Sequence, residues 1–471
     1  MDGARSEVGG PGPEVRGPGS EVGGSSPRGG IPALDGGVPG GRTAREGFPR
    51  RQSVREAAAR TYARALPIVP VRARGMTIEG ADGRRYLDCL SGAGALALGH
   101  NHPVVLEAIR KVLDSGAPLN SLDLATPVKD AFVTELFHTL PPRLADRARV
   151  RFCGPTGSDA LRTAVELVRA ATGRHDLDGR DTGVVHLAYP QDRPDLFRAD
   201  AAALPAGVIV EPVQGEGGVF PTPDGWLRRV RQATSDRSVP LIADEIQTGV
   251  GRTGTFWAVE HSGVTPDVMV LSEAIGGSLP LAVVVYRDDL GSGEPAPHTG
   301  TFRGNQLAMA AGTATLAHVR ENLLAERASV LGARMLDQLR SLSDEFACVG
   351  DVRGRGLMIG VELVDPAGES EPGPPGTEEH PMAEEPPPAE QPAARELSAM
   401  VQQECLRRGL IVGLGGRHAN VVRLLPPLTI TDEQAAAVLD RLTDAIRAAA
   451  RCHQGMKTPQ RGRTSASRHM P

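Results

Sequence analysis

The stretch "PDVMVLSEAIGGSLPLAVVVY" (residues 266–286) decides how this chain folds. It reads as an apolar strand, a tight polar turn with paired glycines, and a second apolar strand. Glu273 stands at the turn, where the first strand ends. Upstream, "AGVIVEP" and "VPLIADE" have the same form: an apolar run closed by an acidic residue. Between such runs lie helix-like stretches such as "ALRTAVELVRAAT", with Leu161, Val165 and Val168 at helical spacing. Near-continuous apolar strands alternating with helices predict an α/β fold whose mostly parallel sheet is covered on both faces. Ligands of such sheets bind beyond the carboxyl ends of the strands, where Glu211, Asp244 and Glu273 all fall.

The chain has 471 residues, enough for two or three domains and a large core. Residues 1–50 are rich in Gly, Pro and Ser and predict a disordered leader. A second block, 366–393 ("PAGESEPGPPGTEEHPMAEEPPPAEQP"), is acidic and Pro-rich. Strand-like "GLMIGVELV" precedes it and helix-like "ARELSAMVQQECLRRG" follows, so it reads as a solvated insertion within one domain. The expected plan is a small-domain segment at 51–100, a large α/β domain at 101–320, a C-terminal small domain at 321–448 carrying the insertion, and a flexible tail at 449–471.

A formal charge of -5 argues against a general nucleic-acid binder. No run approaches the roughly 18 apolar residues that a membrane helix needs. The N-terminal residues have no apolar signal core, and Arg50-Arg51 is followed by polar sequence, so the expected compartment is the cytoplasm. Five scattered cysteines without a CxxC pair point to reduced thiols and no metal site. Lysine is scarce: only Lys111, Lys129 and Lys457.

"FCGPTGSDALRTAV" sets a polar turn before a helix, and its exposed N–H groups and helix dipole suit a phosphate. The alternative is an ordinary helix start capped by Ser158 or Asp159. In "VPLIADEIQTGVGRTG", Asp244 ends a buried strand, where a carboxylate needs a cationic partner. A protonated heterocyclic nitrogen would serve; so would a nearby arginine such as Arg252.

"CGPTGSDA", "EPVQGEGGV", "LIADEIQTGVGRTG", "LSEAIGGSLPLAVVVY", "HTGTFRGNQLA" and "VVRLLPPLTI", in this order, resemble the class III aminotransferases, nearest to the diaminobutyrate–2-oxoglutarate aminotransferase group. The resemblance covers residues 55–365 and 394–448. It implies the fold-type I architecture, pyridoxal phosphate as cofactor, and transfer of an amino group from a diamino acid such as 2,4-diaminobutyrate to 2-oxoglutarate in a homodimer. By the same resemblance, Thr156 and Gly157 cradle the phosphate and Asp244 partners the pyridine nitrogen. Gln247 lies near the phenolic oxygen. Thr301 reaches the neighbouring subunit's phosphate. Arg423 grips a substrate carboxylate that Glu216 otherwise replaces.

Two departures bear on activity. Glu273 occupies the position where the resembled family carries its Schiff-base lysine. A carboxylate cannot form an imine, and no lysine lies between Lys129 and Lys457. The chain is also shortened near 174–186, where the family usually has several tens of residues and an aromatic ring that stacks on the cofactor; His186 and Tyr189 read as strand packing and a turn. Together these imply impaired transamination with at best noncovalent cofactor binding. The alternative is a non-catalytic partner subunit, in which Thr301 completes an active paralogue's site in a heterodimer.

Overall fold

The computed structural model describes residues 66–174, 183–187, 189, 204–291, 300–366 and 392–457. The expected leader, the tail beyond Lys457 and nearly all of the acidic insertion lie outside these residues.

Strands β1 (Pro70–Arg74), β2 (Thr77–Gly80) and β3 (Arg85–Asp88) form an antiparallel meander. Six further strands build the central sheet: β4 (Ala148–Phe152), β5 (Val184–Leu187), β6 (Gly207–Val210), β9 (Leu241–Asp244), β10 (Val268–Leu271) and β11 (Val283–Arg287), with the two-residue pair β7 (Val213–Gln214) and β8 (Phe220–Pro221) beside it. The sheet order is β4-β11-β10-β9-β6-β5. β10, β9, β6 and β5 run parallel, and β11 is antiparallel to both its neighbours. The mostly parallel sheet expected from the apolar runs is therefore present, and the 266–286 stretch supplies its strand–turn–strand centre.

Alternation along β10 explains why its run is apolar throughout. Val268 and Val270 face the helix Gly157–Thr172 through Ala160, Ala164 and Val168. Met269 and Leu271 face the other layer, with Phe132 and Leu136 of helix Pro127–Thr139 and Met309 of helix Gln306–Glu321. Both faces are covered, so no position is left for a polar side chain.

The turn after β10 is pressed onto helix Gln306–Glu321 through two glycines. A Cβ at Gly312 would stand 2.1 Å from Ile275 O, and one at Gly277 (φ +57°) 2.4 Å from Ala311 O. Gly312→Ala should cost about 1–3 kcal/mol by overpacking, read as a lower midpoint in thermal or urea unfolding; an unchanged midpoint would remove the claim that this contact seats the turn.

The C-terminal sheet contains β12 (Val349–Arg355), β13 (Met358–Leu363), β15 (Gly413–Gly415) and β16 (Val421–Leu424) in the order β12-β13-β16-β15. β14 (Leu410–Ile411) instead pairs with β3, so residues from both ends of the chain share one sheet. The acidic insertion leaves and returns at one place: Val364 bridges Ala393, and Asp365 N donates to Pro392 O (2.8 Å). Helix Asp432–Lys457 runs past residue 448, so Lys457 ends a helix rather than sitting in a loose tail.

Candidate functional site

Asp244 ends β9, and Glu273 opens the short 3₁₀ turn after β10. Parallel pairing sets Val270 against Asp244, which brings the two acidic ends together. Glu273 has φ 53°. This left-handed conformation costs a non-glycine residue about 1–2 kcal/mol and is typical of residues held for function. Its Oε2 is buried without a hydrogen-bond partner and lies 3.7 Å from where a Cβ of Gly94 would stand. Burial first, then the charges of Glu216 and Asp244, push the Glu273 carboxyl up to about 7 against the opposing pull of Arg252 and Arg423. Burial also pushes Asp244 up to about 7, with Glu211 adding to it, although Asp244 Oδ1 accepts from Ile246 N (3.0 Å).

Arg423 on β16 is 5% exposed and donates from Nη1 to Glu216 Oε1 (2.8 Å), whose side chain is 67% exposed. Gln247 Nε2 donates to the same oxygen (3.1 Å). Sequence proximity made Arg252 an alternative partner for Asp244. The structure instead sends its Nη1 to the carbonyls of Leu357 and Pro426. Burial lowers its pKa to about 10, against the opposing pull of Cys89 and then Glu273. Glu273 Oε2, Gln247 Oε1, Arg252 Nη2 and Arg423 Nε are all buried and unpartnered. Buried polar atoms in native proteins almost always have partners, so such a group of orphans marks a place where a polar ligand belongs.

Thr156, not Ser158 or Asp159, is the N-cap of helix Gly157–Thr172, and Asp159 closes a reciprocal capping box with it. Asp159 Oδ2 accepts from both the amide (3.3 Å) and the hydroxyl (2.7 Å) of Thr156. The free ends of this turn are therefore the next backbone amides, at Gly157 and Ser158. A Cβ on Gly157 would come within 2.9 Å of Ile246 Cδ1, so the turn lies directly against the segment that follows Asp244. Thr301 is exposed; its carbonyl accepts from Asn120 Nδ2 (3.0 Å), and Gly300 lies against Gly154 of the same chain.

Neither Lys111 nor Lys129 brings an amine to residue 273. Lys129 Nζ donates to Leu122 O (2.8 Å) and Leu124 O (2.9 Å), Lys111 pairs with Glu107, and Lys457 ends the last helix. Tyr189 packs edge-on against Trp226, and His186 is an exposed position of β5 whose backbone pairs with Ile209. Gly94, Ile246 and the unpartnered face of Arg252 escaped the sequence reading. The Gly-rich "SGAG" turn was the one local sign of the first; the others depend on contacts distant in sequence.

A model of the family "Aminotransferase class-III" matches residues 57–187 and 196–446. The chain belongs to the class III aminotransferases. It is 44% identical to a diaminobutyrate–2-oxoglutarate aminotransferase of Rhizobium meliloti over 447 residues, covering 85% of this chain and 91% of the relative. It is 38% identical to the enzyme of the same name from Haemophilus influenzae, at 85% and 94% coverage. Among solved structures, acetylornithine aminotransferase from Elizabethkingia anophelis superimposes with a TM-score of 0.68 at 26% identity, covering 86% of this chain and 99% of that one. An amine transaminase from an uncultivated Pseudomonas species, solved with its pyridoxal phosphate bound, gives 0.67 at 28% identity, covering 81% and 95%. The fold is that of the fold-type I enzymes, and the family's cofactor is pyridoxal phosphate. The family match breaks between 187 and 196, close to the region expected to be shortened. Among the described residues no helix is long and apolar enough to cross a membrane.

The residues of this class III aminotransferase suit part of that cofactor. Asp244 is a buried carboxylate in need of a cation, which a protonated ring nitrogen supplies, and the helix start at Gly157 could take a phosphate. Read as the position of the family's cofactor-bonding lysine, residue 273 does not fit a covalent bond, because a carboxyl group and no amine stands there.

Proposed function

We propose that this chain holds pyridoxal phosphate without covalent attachment and is an impaired member of the diaminobutyrate–2-oxoglutarate aminotransferase group. The amino donor is a diamino acid such as 2,4-diaminobutyrate and the acceptor is 2-oxoglutarate, in keeping with the names of its relatives. The observation that carries the impairment is Glu273, with its buried, unpartnered oxygen, at the position read as that of the cofactor-bonding lysine.

When bound, the cofactor supplies an electron sink for the carbon that loses its proton. Asp244 keeps the proton on the ring nitrogen. The Thr156–Gly157 turn directs backbone amides at the phosphate, and Gln247 lies beside the phenolic oxygen. Arg423, once released by Glu216, takes a substrate carboxylate with two parallel hydrogen bonds. Thr301 completes the phosphate site of a second copy in a homodimer. Glu273 cannot bond to the cofactor, and the lysine amine that would serve as the positioned acid–base group is replaced by a carboxyl; loss of such a group costs about 10²- to 10⁴-fold. The reaction is assigned to the cytoplasm.

The test is an absorbance spectrum of the purified chain with pyridoxal phosphate, followed by borohydride reduction and peptide mass analysis. Reversible binding with no reduced adduct is expected; an adduct on a site residue would overturn the proposal. The alternative reading is a non-catalytic partner subunit in which Thr301 completes an active paralogue's site; the exposed Phe302 (70%) beside it fits a second copy or a paralogue equally. Co-purification with a lysine-bearing relative would support that reading, and an exclusive homodimer would exclude it.

A further inference from the structure

We infer that the Glu273 pocket is built for a primary ammonium, and that it selects the aminated cofactor, pyridoxamine 5′-phosphate, over pyridoxal 5′-phosphate. This rests on reading Glu273 as the residue that meets the cofactor's reactive carbon. The side chain's Oε2 is enclosed yet receives no hydrogen bond, and Gly94, lacking a Cβ, leaves room beside it. The two nearby cations are committed elsewhere by at least one nitrogen each: Arg252 to Leu357 O and Pro426 O, Arg423 to Glu216. The acids facing Glu273 are Glu216 and Asp244, with Glu211 beside Asp244. The pocket is thus short of positive charge at two points, the Asp244 carboxyl and the Glu273 carboxyl.

A ligand with a protonated ring nitrogen at one point and an ammonium at the other answers both. The aldehyde form answers only the first and sets a carbonyl oxygen, an acceptor, against the Glu273 carboxylate. A lysine in this position has the opposite preference, since its amine bonds the carbonyl and repels an ammonium. Exchanging lysine for glutamate therefore reverses donor and acceptor without remaking the rest of the site. No bond forms or breaks; the selection is one of binding.

The preference depends on pH. Above about 7 Glu273 is ionised and accepts from the ammonium; below that it carries a proton, can donate to the aldehyde oxygen, and the two forms become more nearly equal. Calorimetric titration of the full chain should show the amine form bound roughly tenfold or more tighter at pH 8, the value of one charge-assisted hydrogen bond, with the ratio narrowing at pH 6. Glu273→Gln should bring the ratio near one while the circular dichroism spectrum stays that of the folded chain, and Glu273→Lys should favour the aldehyde form. Equal or tighter binding of pyridoxal phosphate by the parent, or a preference that survives in Glu273→Gln, overturns the inference. So does 2,4-diaminobutyrate alone binding as tightly as pyridoxamine phosphate, because the ammonium would then belong to a substrate. Failure of both cofactor forms to bind removes the proposed function as well, whereas equal reversible binding removes only this selection.

Discussion

Replacing Glu273 by lysine is expected to raise transamination between 2,4-diaminobutyrate and 2-oxoglutarate by about 10²- to 10⁴-fold over the parent chain. The backbone already holds residue 273 in the left-handed conformation, so the new side chain asks for no new backbone. Gly94 leaves space beside the side chain. A lysine there would also stand among Glu216 and Asp244, two carboxylates that now repel Glu273. The readouts are glutamate formed in a coupled assay, a visible absorbance band on adding pyridoxal phosphate, and a borohydride-fixed adduct on residue 273. An adduct without any gain in rate would contradict the assignment of the deficit to this side chain and move it elsewhere in the chain.

A second large effect is on stability and needs no substrate. The Glu273 carboxyl sits near 7 in the fold against an ordinary 4.5, so between those values the folded chain holds a proton that the unfolded chain releases. That contribution is complete below about pH 4.5 and is lost as the pH rises through about 7. Above it, the ionised group burdens the fold by something on the order of 3 kcal/mol. Glu273→Gln removes the burden, so its melting temperature should exceed the parent's at pH 8 by several degrees, at about 2–4 °C per kcal/mol for large domains. Toward pH 5 the two melting curves should converge. Asp244 keeps its own raised pKa, so some pH dependence persists in the variant. An equal difference at both pH values would sink the assignment to Glu273.

The central strands were legible in the sequence because burial on both faces leaves only apolar side chains, and each run stops at the acid that marks the site. Val268–Leu271 and Leu241–Asp244 are found where "DVMVLSE" and "VPLIADE" placed them. The pairing of Glu216 with Arg423 was also anticipated, but from family resemblance; local spacing says nothing about residues so far apart. Local chemistry failed where several residues could do one job. Thr156, Ser158 and Asp159 are all competent caps, and the capping box that chose Thr156 depends on the backbone angle at which the chain enters the helix. Arg252 misled for a related reason: it is near Asp244 in sequence, but carbonyls from residues 357 and 426 claim it. The end of the last helix at Lys457 had no glycine or proline signal at residue 448 to set it.

On the proposed role of Arg423 as the grip for a substrate carboxylate, its contact with Glu216 is a resident competitive inhibitor. Any incoming carboxylate must displace a glutamate that is tethered to the same chain and never diffuses away, so apparent affinity is the intrinsic affinity scaled by the fraction of time Arg423 stands free. The asymmetry of exposure says which half yields: Arg423 is 5% exposed and fixed on a strand, whereas Glu216 is 67% exposed and can turn into water. The incumbent holds Arg423 by one nitrogen, at 2.8 Å from Nη1. A ligand able to use both sides of the guanidinium fork outbids it, and a weak or poorly aligned anion does not. On that proposal the pair sets a threshold that a weak or poorly aligned small anion does not pass.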